Sequence, residues 1–250
     1  MTKSIKLSLM ICFVLLAGFY LQRQGLFVFK TTGIHEGAEI VWGNKTNHTL
    51  DFTLHSDKKK ELRELSNRAR NEMYVFIVDE TVEHYERVKP TYYGNGQFTF
   101  SYELPKAAAA FVYMENDEST ENIGYKKLTS SSEKRENILR PDPILTTKIG
   151  LYDVSLIFNT LQSEQPELLT FQFAQKGLRF TSITGQLSRI WAVNEETDEF
   201  TTAVSSEKET MEFSLRFPRE GTYKIWGQFY INGKEFRKSF VVNVTEKRKK

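Results

Sequence analysis

The chain has 250 residues, 40% hydrophobic and 26% charged, the balance of a folded protein and not of a disordered or fibrous one. Its formal charge of +2 hides a basic tail. Without Lys247, Arg248, Lys249 and Lys250, 30 basic residues face 32 acidic ones, so the folded part offers no nucleic-acid surface.

The N-terminus reads as a membrane-targeting segment. Lys3 and Lys6 precede an apolar run from Leu7 to Leu21, and Arg23 follows. This is the pattern of a signal peptide or a signal anchor. Ala17-Gly18-Phe19 is a poor cleavage site, so the reading is an uncleaved anchor, with residues 5–21 in the bilayer. The two flanking lysines place the N-terminus inside and the rest of the chain outside. Cys12, the single cysteine, lies within this run and faces lipid; an intramolecular disulfide is excluded.

Beyond the anchor, aromatic and β-branched residues dominate, with 19 Phe and 11 Tyr, which favours strands. Ala38–Trp42 and the alternating Leu50–Leu54 read as strands. Lys58–Arg70 is charged, with Leu62, Leu65 and Ala69 at helical spacing, and reads as a short helix or a loop. Tyr74–Val78 is a continuous apolar strand. Gly94-Asn95-Gly96 is a turn, and Gln97–Leu104 alternates again. Asn116–Thr147 is polar and irregular, holding Ser130-Ser131-Ser132 and Pro141-Asp142-Pro143; the interdomain linker belongs here, although Ile123–Leu128 can add an edge strand.

The second half repeats this order. Leu151–Ile157 corresponds to the Ile40 strand, Leu168–Phe173 to Leu50–Leu54, Arg189–Val193 to Tyr74–Val78, and Glu209–Phe217 to Gln97–Leu104. The phrase Phe98-Thr99-Phe100-Ser101-Tyr102-Glu103-Leu104-Pro105-Lys106 returns as Met211-Glu212-Phe213-Ser214-Leu215-Arg216-Phe217-Pro218-Arg219. A period of this length marks duplicated units. Tyr223–Ile231 and Glu235–Val244 flank Asn232-Gly233, a strong hairpin signal. Tyr223, Ile225, Phe229 and Ile231 share one face; Phe236, Phe240, Val242 and Val244 share a face of the partner strand. Trp42, Trp191 and Trp226 read as core residues.

These patterns predict an all-β protein of two tandem immunoglobulin-like β-sandwich modules after an N-terminal transmembrane or signal helix. The expected divisions are 1–30 for the anchor or signal peptide, 31–128 for the first module, 129–146 for the linker, and 147–250 for the second module with its basic tail.

Phe217-Pro218-Arg219-Glu220-Gly221-Thr222-Tyr223-Lys224-Ile225-Trp226-Gly227-Gln228-Phe229 resembles a recurrent bacterial pattern, F-P-x-x-G-x-Y-K-x-W-x-Q-F. Tyr74–Val78, Pro90 and Gly94–Phe98 resemble its partner half, M-H-L-F-I-V…F-x-H-x-H-P-x-x-x-G-x-G-x-F. The resemblance is to exported or membrane-tethered tandem β-sandwich proteins associated with copper or other heavy metals. It implies that histidines of this pattern are the metal ligands. In this chain Tyr74 stands at the first histidine position, Arg87 and Lys89 replace the H-x-H pair, and Pro90 alone is kept. In the second half the corresponding positions fall near Ser188 or Arg189 and near Thr202-Ala203-Val204. Imidazole suits copper and zinc; two cations repel a metal ion.

His84 and His35 remain the candidate metal ligands, with His48 and His55 scattered elsewhere. Glu115-Asn116-Asp117-Glu118 and Asn194-Glu195-Glu196-Thr197-Asp198-Glu199 are the densest acidic stretches; they read as solvated loops, with Ca²⁺ binding as the alternative. No G-x-S-x-G, phosphate loop or H-E-x-x-H occurs. The expectation is a membrane-anchored, extracytoplasmic, non-enzymatic binding or accessory protein of the bacterial cell envelope, with no cofactor and with an envelope protein as partner. The alternative is a copper or other heavy-metal-binding protein with a non-standard site.

Overall fold

The structure is a computed structural model that describes residues 38–46, 48–116, 119–128, 139–175, 178–180, 188–205, 211–231 and 234–247. The expected anchor over 5–21, Cys12, His35, Asn232-Gly233, Asp117 and Glu118, and the greater part of the expected linker lie outside the described residues. Among the described residues no helix is long and apolar enough to cross a membrane.

The described part is all-β with a single helix. The strands of the N-terminal half are β1 (Ala38–Thr46), β2 (Thr49–Ser56), β3 (Met73–Asp79), β4 (Tyr85–Val88), β5 (Thr91–Gly94), β6 (Gln97–Ser101), β7 (Ala107–Glu115) and β8 (Thr120–Lys127); α1 (Lys59–Glu72) joins β2 to β3. The C-terminal half holds β9 (Thr146–Ile149), β10 (Tyr152–Ile157), β11 (Pro166–Gln175), β12 (Leu178–Phe180), β13 (Arg189–Asn194), β14 (Phe200–Val204), β15 (Glu212–Arg216), β16 (Gly221–Ile231) and β17 (Lys234–Val244). They form four antiparallel sheets. Two belong to the N-terminal half, in the orders β1-β2-β6-β5 and β4-β3-β7-β8. Two belong to the C-terminal half: β12-β11-β10-β9 with β15 also on β11, and β14-β13-β16-β17.

Strand periodicity explains how the sheets stack, because successive side chains point to opposite faces. On β3, Met73, Val75 and Ile77 join a core with Leu50, Phe52, Phe98 and Phe100 of the facing sheet. The intervening Phe76 and Val78 join a different cluster with Trp191, Val193, Phe200 and Trp226 from the C-terminal half. On β7 the split repeats: Ala110, Val112 and Met114 face the first core, and Ala109, Phe111 and Tyr113 face the second cluster. On β13, Ile190 and Ala192 turn to the C-terminal core with Leu169, Phe171, Phe173 and Phe213. Four sheets therefore stack in layers. In the inner two, β4-β3-β7-β8 and β14-β13-β16-β17, the central strands β3, β7, β13 and β16 are buried on both faces, against the other inner sheet and against their own partners.

The connections follow from local chemistry. The 14-residue helix α1 packs Leu65 and Ala69 into the N-terminal core and carries an Arg68–Glu72 pair one turn apart at 3.3 Å, a spacing that supports isolated helix. β16 and β17 pair continuously from Gly221↔Val244 to Ile231↔Lys234. The apolar faces read from the sequence, Tyr223, Ile225, Phe229 and Ile231 against Phe240, Val242 and Val244, enter the C-terminal core. Gly227 lies between Ile225 and Phe229 on that face, and a Cβ there would collide with the Phe229 ring. The glycine is what lets that ring fold back across its own strand. At the end of the expected linker, Leu139 is buried in the cluster between the halves. Asp142 donates its N–H to the Val241 carbonyl at 2.9 Å and accepts from the Val241 N–H at 2.8 Å.

Candidate functional site

The register of the inner sheet brings the substituted histidine positions together. Phe76 pairs with Arg87 and Val75 with Val88, which sets Tyr74 beside the alternate residues Arg87 and Lys89 on the face turned toward the C-terminal half. The Arg87 guanidinium lies 3.5 Å from the centre of the Tyr74 ring, and Lys89 Nζ is 5.9 Å from the same ring. A cation over an aromatic face is a favourable pairing. Pro90 is buried at the break between β4 and β5 and stands apart from this group.

Arg87 is the centre of a wider cluster. Its Nε donates to the Tyr113 hydroxyl at 2.6 Å, and its Nη2 donates to Glu115 Oε1 at 2.9 Å. From the C-terminal half, Arg189 Nε donates to that same Glu115 oxygen, and Trp191 Nε1 donates to the Tyr113 hydroxyl at 3.0 Å. The Glu115 side chain is 1% exposed, and its second oxygen, Oε2, is buried with no hydrogen-bond partner among the described residues. Burial works against the Arg87 charge, but Tyr113 and Glu115 beside it outweigh this and raise its pKa above the ordinary guanidinium value. Burial pushes the Tyr113 phenol well above its usual range, and the Arg87 charge offsets this only in part. The site thus holds a neutral phenol and one carboxylate between two guanidinium groups.

Tyr74, at the first histidine position of the N-terminal half, and Arg189, one of the two residues near that position in the C-terminal half, both end in this cluster. The second pair of positions separates: Arg87 is here, whereas Thr202 donates its hydroxyl to the Ile190 carbonyl at 2.8 Å on the neighbouring strand. The Thr202 carbonyl accepts from Thr120 across the junction at 2.7 Å. Asn122 donates to the Phe200 carbonyl at 2.7 Å, and Lys224 reaches Glu83 at 2.9 Å.

His84, the candidate ligand that is described, belongs to a turn. Its Nδ1 is 3.1 Å from Asp79 Oδ2, whose other oxygen accepts the backbone N–H groups of Glu83 and His84 at 2.9 and 3.2 Å. His48 packs against Tyr102 with ring centres 5.3 Å apart, and His55 Nε2 lies 3.9 Å from Asp57. Among the described residues no group of three or more His, Cys, Asp or Glu side chains is arranged to hold a metal ion.

One sequence expectation is corrected. Glu115 is not part of a solvated acidic loop: it ends β7 inside the molecule, where two arginines compensate the cost of desolvating its charge. The Asn194–Glu199 stretch is a loop with Glu196 and Asp198 exposed, drawn into a tight turn. The Asn194 amide donates to Glu196 and Asp198 at 2.8 and 2.7 Å, and Arg219 closes it by pairing with Asp198 and Glu199. Trp191 and Trp226 are buried, as expected of core residues, but between the two halves and not inside either one. The signal for this junction lies in the unbroken apolar runs Val75–Val78, Ala108–Tyr113 and Ile190–Val193, since a strand buried on both faces loses its alternation.

Residues 147–246 match the model of a family described as a domain of unknown function (DUF8832). The matched stretch opens within β9 and closes just after β17. No curated protein matches the chain.

Proposed function

We propose that this chain is a membrane-anchored, extracytoplasmic, non-enzymatic binding or accessory protein of the bacterial cell envelope, built from two tandem immunoglobulin-like modules. The surface that carries metal-binding histidines in the proteins it resembles serves here to lock the modules together. The single observation that carries this reading is the Glu115 carboxylate, held at one oxygen by Arg87 of the N-terminal half and Arg189 of the C-terminal half. A site built from two guanidiniums, a buried phenol and stacked aromatics repels metal cations and has no nucleophile beside a base. It suits a rigid junction that holds two outer sheets at a fixed separation. The apolar run Leu7–Leu21, with Lys3 and Lys6 before it, is the support for the anchor.

Isothermal titration of the full chain in detergent with Cu(II), Cu(I) and Zn(II) tests the loss of metal chemistry. No saturable heat is expected. Micromolar or tighter binding that disappears in His84→Ala overturns the reading. Carbonate extraction of cell membranes tests the anchor: the chain is expected in the pellet, and its release into the supernatant removes that part of the proposal.

A further inference from the structure

We propose that the outer face of the sheet β1-β2-β6-β5 binds a neutral carbohydrate chain. This goes beyond the reading above and does not depend on where the protein resides. That face carries an open cavity of about 440 Å³ whose lining includes Gly43, Asp51, Thr53, Tyr93, Gln97 and Thr99, with the buried Phe52 and Phe98 beneath, within the size range of ligand sites.

The backbone shapes the cavity from both sides. On β5 the register against β6 slips between Tyr92 and Gly94, so that Tyr93 is an extra, bulged residue. On β1 the register against β2 slips between Trp42 and Lys45, which bulges the chain opposite Asp51. Bulges bend a strand and re-aim a side chain, and they gather beside binding sites. Here two of them, on strands that flank the same two central strands, border one depression. Its floor is the outward row of β2 and β6, where Asp51 opposes Thr99 and Thr53 opposes Gln97. At the β1 side a Cβ on Gly43 would come within 3.2 Å of the Asp51 Cβ; glycine keeps that border open. Tyr93 stands beside the floor and is 69% exposed, although its neighbour Tyr92 packs on Phe98 in the core.

The chemistry of the lining selects among ligands. Among the described residues that line it there is one carboxylate and no cation, which disfavours phosphates, nucleic acids and acidic polymers. A single carboxylate does not make a metal site. The floor is hydroxyl, amide and carboxylate, which disfavours a purely apolar ligand. What remains is a neutral molecule with many hydroxyls and a flat C–H face. Sugar hydroxyls each donate and accept, matching Thr53, Gln97 and Asp51, and the exposed Tyr93 ring offers the amphipathic surface on which a pyranose lies. Thr99 donates its hydroxyl to Asp51; this orients the carboxylate, which has lone pairs for further hydroxyl donors.

Titration of the full chain with tetrasaccharides of N-acetylglucosamine and of glucose, and with a glycerol-phosphate polymer, tests the proposal. Saturable binding of at least one neutral tetrasaccharide is expected, and the preferred one identifies whether an N-acetylhexosamine or a hexose polymer is the source. Tyr93→Ala and Gln97→Ala are each expected to weaken it about tenfold or more, an energy typical of one or two lost contacts, with unchanged circular dichroism and melting. Absence of binding by both neutral sugars, binding of the anionic polymer alone, or wild-type affinity in both variants overturns the proposal. None of these outcomes bears on the junction at Glu115 or on metal binding.

Discussion

Asp79 and Asn194 occupy the same position in two turns of one design. Each ends an inner strand, β3 or β13, and accepts through its Oδ1 from the backbone N–H groups four and five residues on: Glu83 and His84 in one case, Asp198 and Glu199 in the other. The third residue after each is left-handed, Val82 at φ 56° and Thr197 at φ 58°. The N–H of each of these residues returns to the carbonyl of the residue that opens the turn. A β-branched residue rarely adopts that conformation, and the side-chain acceptor is what holds it there.

Asp79→Ala removes the acceptor for four donors and is expected to lower stability by about 2 kcal/mol. Asp79→Asn, which keeps the geometry of its counterpart Asn194, is expected to lose well under half of that. Urea unfolding monitored by circular dichroism measures both.

Glu115→Ala leaves two guanidiniums facing each other without their carboxylate. Breaking a buried pair in this way costs about 3–5 kcal/mol. Adding Arg189→Met to that variant is expected to recover part of the loss, because the remaining Arg87 still has Tyr74 and Tyr113. A double-mutant cycle on Glu115 and Arg189 is expected to give a coupling of about 1–3 kcal/mol, and a coupling near zero refutes the assignment of Glu115 as the shared partner.

Gly227→Ala is expected to destabilise the C-terminal half by about 1–3 kcal/mol through overpacking against Phe229. Combining it with Phe229→Leu is expected to cost less than the sum of the two single changes. Thermal melts of the four proteins provide the comparison.

Alkaline pH should weaken the fold. Burial raises the Tyr113 and Tyr223 phenols above the ordinary value; Tyr223 donates to the Arg219 carbonyl at 3.0 Å. The folded state therefore keeps protons that the unfolded state gives up near pH 10. Stability from these groups is complete below that pH and falls as pH rises through it toward their folded values. Ultraviolet titration of the tyrosines is expected to show a class that ionises only on unfolding; simple titration of every phenol near pH 10 in the folded protein contradicts this.

The outer sheets were legible in the sequence because one face of each strand is wet. Leu50, Phe52 and Leu54 alternate with exposed or half-exposed residues, and the pattern assigns both strand and face. The inner sheets were legible as strands but not as a junction. Once Phe76 and Ile77 are both buried, nothing in the order of apolar residues says which layer each one meets. The polar cluster was less legible still: Arg87, Glu115 and Arg189 are far apart in the chain, and only the register of β3, β4 and β7 together with the stacking of the halves brings them together. The bulges at Tyr93 and beside Trp42 leave no residue-type signature apart from nearby glycines.

A ribosome delivers β3 and β7 well before β13 and β16. The N-terminal half can close its own core while Phe76, Phe111 and Tyr113 still look outward, with Arg87 and Glu115 among them. Domains form in the order in which they emerge, so for that interval the nascent chain displays an aromatic surface with a charge pair at its margin, and the later half arrives as its first and permanent chaperone. A truncation after Leu128 would display that surface for good. It is expected to self-associate or to be held by other factors, even if its own two sheets have paired correctly.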